Sequence, residues 1–159
     1  MTHAGSRWAA TYRLFSHPES VQIARALVAP TARLAGFAGD DVLDLQIAVA
    51  EAVCNAFVHA YHGRPDGEVR IDLEFDGAAL TIAVLDLGRP AAARIAVPDT
   101  LPPPGQGGRG LYLIARLMDS LEIRQPGLRG KGTVVVMRKR LPHPAPVDRE
   151  AAREVRPSH

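Results

Sequence analysis

Ala48-Val49-Ala50-Glu51-Ala52-Val53-Cys54-Asn55-Ala56-Phe57-Val58-His59-Ala60-Tyr61 is the middle and far end of one long amphipathic helix. Gly39-Asp40-Asp41 opens it, with a carboxylate as N-cap. Val42, Leu45, Val49, Ala52, Val53, Ala56 and Ala60 then recur along one stripe, and the helix ends near Tyr61-His62-Gly63. Off that stripe stand Glu51, Asn55 and His59, at i, i+4 and i+8. Successive members lie about 40° apart around the axis, so the three share a face. An Asn carboxamide offers a neutral oxygen suited to Mg2+, a hard cation that touches nucleotide phosphates and keeps several waters. A Glu beside it could orient or deprotonate a water or hydroxyl. An ordinary polar helix face has the same spacing, and His59 alone is as well explained as a structural histidine.

Outward from this helix the chain alternates between two periodicities. Trp8 to Phe15 reads as a first strand. His17-Pro18-Glu19-Ser20 starts a helix with Pro18 in its first turn; it runs to about Leu34, and Gly36 stops it. On the other side, Glu68 to Phe75 alternates, with Val69, Ile71, Leu73 and Phe75 on one face and Arg70, Asp72 and Glu74 on the other. Asp76-Gly77 is a hairpin signal, and Leu80 to Leu85 returns. Residues 91–107, rich in Pro and Gly, form a loop of the length that usually serves function. Leu111, Ile114, Leu117 and Met118 mark a third helix. Leu121–Ile123 and Thr133–Met137 are two more strands, joined by a Gly-rich turn. The order β-α-α-β-β-lid-α-β-β argues for an α/β (α+β) two-layer sandwich, with a mixed, mostly antiparallel sheet and helices on one face. The domain spans 8–141, residues 1–7 read as a flexible N-terminus, and 142–159, rich in Pro, Ala and charge, read as disordered.

Bulk properties exclude several classes. The 159 residues suit one domain with its own core, and 47% hydrophobic with 23% charged residues is an ordinary globular balance. A net charge of +2 with scattered basic residues gives no sign of direct nucleic-acid binding. The run Arg138-Lys139-Arg140 reads as a solvated strand end. The one cysteine, Cys54, excludes an intrachain disulfide and reads as a small buried hydrophobe. Residues 1–15 lack the apolar core of a secretory signal, and no apolar run approaches the roughly 20 residues of a membrane span. The expectation is a cytoplasmic protein with no membrane partner.

Three glycine-bearing loops complete the pattern. Asp86-Leu87-Gly88 follows a buried strand, where an acidic group can accept from an exocyclic amine such as that of adenine, and Gly88 would let a base approach the backbone. Gly107-Gly108-Arg109-Gly110 precedes a helix, whose free N–H groups and dipole favour phosphate; Arg109, by charge and place, would add a donor. It is neither a Walker loop nor a dinucleotide-binding fingerprint. Gly132-Thr133 starts the last strand, where Thr133 could bond Asp86.

Each signal is weak alone, but their order is specific. The chain resembles the GHKL ATPase superfamily, which includes gyrase, the large heat-shock chaperone and the histidine kinases, and within it the anti-sigma-factor serine/threonine protein kinases. Ala48–Tyr61 looks like that family's N box, Val84-Leu85-Asp86-Leu87-Gly88 like its G1 box, Gly108-Arg109-Gly110-Leu111 like its G2 box, and Gly132-Thr133 like its final pair. The resemblance implies a general base at Glu51, a Mg2+ ligand at Asn55, an adenine acceptor at Asp86 with Gly88 against the base, a phosphate-side lid at Gly108 and Gly110, and support for Asp86 from Thr133. It implies ATP and Mg2+ as cofactors, a sigma factor and an anti-sigma antagonist protein as partners, and a homodimer. The chain departs from the pattern at Pro90, where a second glycine is common, and in a Pro-rich lid without basic residues between Arg94 and Arg109. These departures leave open an ATP-gated protein-binding switch without efficient phosphotransfer. An ATP-free scaffold is disfavoured by the presence of Glu51, Asn55, Asp86 and Gly110.

Overall fold

Val69, Ile71, Leu73 and Phe75 are buried while Arg70 and Glu74 are exposed, so β2 (Glu68–Phe75) has one core face and one wet face. The computed structural model describes residues 7–89, 94–125 and 131–142. Residues 1–6, the tail beyond Pro142, Pro90 and the turn expected between the last two strands lie outside them. Strand β1 (Trp8–Phe15) pairs with β2, β2 with β3 (Ala79–Asp86), β3 with β5 (Thr133–Arg140), and β5 with β4 (Ser120–Arg124). All four pairings are antiparallel, so the expected mixed sheet is purely antiparallel among the described residues. The β2–β3 hairpin is held by Asp76, whose carboxylate accepts from the N–H groups of Ala78 and Ala79, both at 2.8 Å.

Helices α1 (Pro18–Ala35), α2 (Asp40–Asn55) and α3 (Arg109–Leu117) cover one face of this sheet. The first begins as its sequence suggests: His17 Nδ1 accepts from the Glu19 N–H and Pro18 opens the helix. Gly36, at φ +102°, ends it one residue past Ala35. The start of α2 differs from expectation. Gly39 is the N-cap and no side chain caps it; Asp40 and Asp41 sit in the first turn, where their charge favours the helix dipole. Val42, Leu45, Val49, Ala52, Val53 and Ala56 are buried as the stripe required, in the core that α2 shares with α1, α3 and β3.

Two further expectations are corrected. Arg138 and Lys139 are not a solvated strand end. Arg138 donates to Asp76 at 2.7 Å and to Thr81 at 3.2 Å, and the Lys139 ammonium lies between Asp41, Asp44 and the Leu117 carbonyl. Asp40–Ala60 is also a continuous helical span of 21 residues, long and apolar enough by composition to cross a bilayer. Its apolar stripe is spent on the core, which is why a central helix can reach that composition.

Candidate functional site

The α-helical geometry of α2 stops at Asn55. Residues Ala56–Ala60 form a π-helical turn, closed by the Tyr61 N–H donating at 3.2 Å to Ala56, five residues back. Such widened turns concentrate at functional sites because they re-aim the residues around them. Here the turn carries the chain onto the loop after β3. The Ala60 carbonyl accepts the Arg89 N–H at 3.3 Å. The Tyr61 hydroxyl donates to the Glu68 carbonyl and accepts the Leu87 N–H at 2.8 Å. Three glycines make this closeness possible. A Cβ on Gly88 would collide with the Ala60 carbonyl, one on Gly67 with the Tyr61 ring, and one on Gly132 with the Asp86 carbonyl. Gly88 is therefore required by the helix end itself, whatever lies on its other side. Tyr61, Gly67 and Gly132 carry this wall although sequence reasoning gave them no site role. Tyr61 and Gly132 entered only as members of the N box and the final Gly-Thr pair, and Gly67 only as a glycine in a turn.

Inside the wall is a cleft of about 440 Å³, lined by Asn55, His59, Asp86, Gly108 and Thr133 on its polar side. Ala52, Ala56, Val84, Leu111, Ile123 and Val135 line the apolar side. The size falls within the range of about 300–1,000 Å³ for small-molecule sites. Asp86, 6% exposed, ends β3 directly opposite Thr133 on β5. Burial pushes its carboxyl pKa up, while the N–H of Gly88, at 3.1 Å, and the backbone of Thr133 hold it down. The result is a fixed acceptor on the cleft floor. Thr133 supports Asp86 through its backbone. His59 is exposed at the rim.

The other end of the cleft is built by α2 and α3. Gly108, at φ +79°, is the N-cap of α3 and accepts the Tyr112 N–H at 3.1 Å. Gly110 follows, so close to α2 that a Cβ on it would stand 2.6 Å from Glu51 Oε2 and 3.5 Å from the Asn55 carboxamide. The structure thus brings Glu51, Asn55 and Gly110 together at the α3 N-terminus. Arg109 is engaged elsewhere: its Nη1 donates at 2.7 Å to the Pro102 carbonyl of the lid. Cys54 is half-buried, and burial, then the neighbouring Glu51, push its thiol pKa up, which keeps it protonated and unreactive. No group of three His, Cys, Asp or Glu side chains among the described residues could hold a metal by itself.

Asn55 of the central helix, the strand-end Asp86 and the α3 N-cap Gly108 line one cleft of small-molecule size. The family model described as histidine kinase-like ATPase domain covers residues 14–139. This chain belongs to that family. Histidine kinase-like ATPase domains use ATP. Among similar proteins, the anti-sigma F factor of Clostridium beijerinckii is 34% identical over 105 residues, 64% of this chain and 72% of that protein. The serine-protein kinase RsbW of Listeria innocua is 31% identical over 137 residues, 81% of this chain and 85% of its own. The serine-protein kinase RsbW of Bacillus pumilus is 34% identical over 137 residues, 79% and 85%. A solved structure of the RsbU and RsbW domains of a Mycobacterium tuberculosis protein superposes with a TM-score of 0.63 at 18% identity, over 87% of this chain. This chain spans a third (33%) of that one, and the likeness shows the fold.

Proposed function

We propose that this histidine kinase-like ATPase domain is an ATP-dependent anti-sigma factor, acting in the cytoplasm as a serine/threonine protein kinase that phosphorylates an anti-sigma antagonist and binds a sigma factor. One observation carries the reading: Asn55 and Asp86 line the same cleft, in a chain that aligns over most of its length with serine-protein kinases. The adenine amine would donate to Asp86, with Val84 and Val135 against the base. The phosphates would lie toward Asn55 and the N-terminus of α3, where backbone N–H groups and the helix dipole favour negative charge. The Asn55 carboxamide suits Mg2+, which when bound would neutralise phosphate charge. Glu51 would accept the proton of the acceptor serine or threonine hydroxyl as that oxygen attacks the γ-phosphorus of ATP, the bond from γ-phosphorus to the bridging oxygen breaks, and ADP leaves.

Phosphotransfer is tested by incubating the protein with labelled ATP and a candidate antagonist. Transfer of label is expected, and Glu51→Gln should lower it by about 100-fold or more while ATP still binds. Unchanged transfer in that variant would remove Glu51 as the base. A second reading, an ATP-gated protein-binding switch, is favoured by the place of Glu51 packed against Gly110. There, nucleotide orders the lid and changes partner affinity without transfer; ATP-dependent binding with no label on the partner would select it.

The proposal extends to a homodimer. The sheet face away from the helices carries Ala83 opposite Val136 and Leu85 opposite Val134 at its centre, all half-buried. Beside them on β1 and β2 charges are already paired among themselves, as in Arg70–Asp72 and Arg13–Glu68. Sedimentation equilibrium of wild type and Val136→Glu tests this; a monomeric wild type rejects the dimer.

A further inference from the structure

Helices α2 and α3 meet at two places. At the cleft end Gly110 abuts Glu51, so tightly that only glycine leaves the carboxylate its room. At the far end Lys139 of β5 joins them: its Nζ lies 2.9 Å from the Leu117 carbonyl, the last of α3, 3.0 Å from Asp44 and 3.2 Å from Asp41. From Asp44 to Glu51 is seven residues, and from Leu117 back to Gly110 is again seven. At 1.5 Å of rise each, both spans are about 10.5 Å. The helices therefore run antiparallel between two ties of matching separation, and fixing one tie fixes the register of the other.

Lys139 is suited to be the fixed tie. Its side chain is only 12% exposed, and its neighbour across the ladder is Leu80 of the central strand β3. Burial works against its charge, but Asp44 and Asp41 outweigh it, so the ammonium stays charged. An ammonium offers three donors and finds three acceptors here, on two different helices. The exposed ion pairs of the outer sheet face are more local: Arg13–Glu68 joins two neighbouring strands, and Arg70–Asp72 lies within one strand.

We infer that Lys139 is a positioning residue: by holding the end of α3 to the start of α2, it sets how far α3 slides along α2, and so keeps the Glu51 carboxylate aligned at Gly110 on the phosphate side of the cleft. Its catalytic consequence rests on the kinase reading; the register itself does not. Lys139→Met keeps the apolar stem and removes the cation, and Lys139→Arg restores a cation. Two measurements on the full chain decide the matter: phosphotransfer, resolved into kcat and KM for ATP per folded molecule, and hydrogen exchange of the α3 amides relative to those of β2 and β3. Lys139→Met is expected to lower kcat at least about tenfold with KM little changed, the scale of a misplaced catalytic group. It should also speed exchange across Leu111–Leu117 at least about tenfold while β2 and β3 keep their protection, and Lys139→Arg should recover both. Unchanged α3 exchange in a folded Lys139→Met variant overturns the inference, as does a uniform rise in exchange across helices and sheet, which is plain loss of stability. If wild type transfers no phosphate, the kinase reading fails on its own and α3 exchange still decides the tie.

Discussion

Gly132 stands against the carbonyl of Asp86, with its N–H donating at 3.0 Å to the carbonyl of Gly88. The first residue before β5 is thus wedged under the loop that holds the cleft's acidic floor. At φ +91° it also occupies a conformation that side chains rarely adopt. Gly132→Ala should cost more than about 2 kcal/mol, since strain and a backbone collision act together. Gly105→Ala is the control: φ is +84° but nothing lies within 4 Å of the added carbon, so about 1 kcal/mol is expected. Urea denaturation of both variants compares them; equal losses would mean that the wedge under Asp86 is unimportant.

Asp86 couples ligand recognition to pH. If its carboxylate accepts from the adenine amine, Asp86→Asn should weaken ATP binding about 10- to 100-fold, the range for a hydrogen bond to a charged group. The same variant reports on stability. Burial leads in raising the folded pKa of this acid above 3.8, so the folded state binds the proton more tightly than the unfolded chain. Stability from this group is then greatest below the unfolded value and falls as pH rises through the folded one. Without nucleotide, Asp86→Asn should gain on wild type as pH rises from about 4 to 7. Urea midpoints that stay parallel across that range would show the carboxylate is not held at a cost.

The element order and most strand limits were legible because half-buried strands write their burial as alternation, as in Val69-Arg70-Ile71-Asp72. Asn55 and Asp86 were legible as a pair only through the order of their motifs. What stayed hidden was tertiary. A run of alanines and valines cannot show the π turn after Asn55, which adds no residue type of its own. The demand for glycine at 67 and 132 comes from Tyr61 and Asp86, which only the fold brings near. Lys139 looked like a wet strand end because its partners, Asp44 and Leu117, are 95 and 22 residues away.

Asp76 should set the acid limit of the β2–β3 hairpin. The N–H of Ala78, then Arg138 and the N–H of Ala79, bring its pKa down from 3.8 to about 2. For a depressed acid the stabilisation is present above the unfolded pKa and is lost as pH falls through the folded one. Wild type should therefore lose stability between pH 3.8 and about 2. Asp76→Asn should be weaker than wild type at neutral pH and flatter through that window. Thermal melts at several acid pH values check this, and equal acid slopes for the two proteins would contradict it.

Gly110 separates folding from chemistry more cleanly than any other position. Its backbone is helical, and the atom its added Cβ would meet first is the tip of the Glu51 side chain, which can swing aside. Alanine also suits a helix better than glycine by about 0.5–1 kcal/mol. Gly110→Ala should thus leave stability within about 1 kcal/mol of wild type. Yet the displaced carboxylate would no longer reach the acceptor hydroxyl, and a misplacement of that kind costs about 100-fold in rate. Phosphotransfer should fall accordingly while ATP affinity, set at the Asp86 end, changes little. The contrast with Gly132→Ala is the discriminating measurement: one glycine holds the fold, the other holds Glu51. A Gly110→Ala protein that transfers phosphate at the wild-type rate would mean that the contact between Gly110 and Glu51 has no part in catalysis.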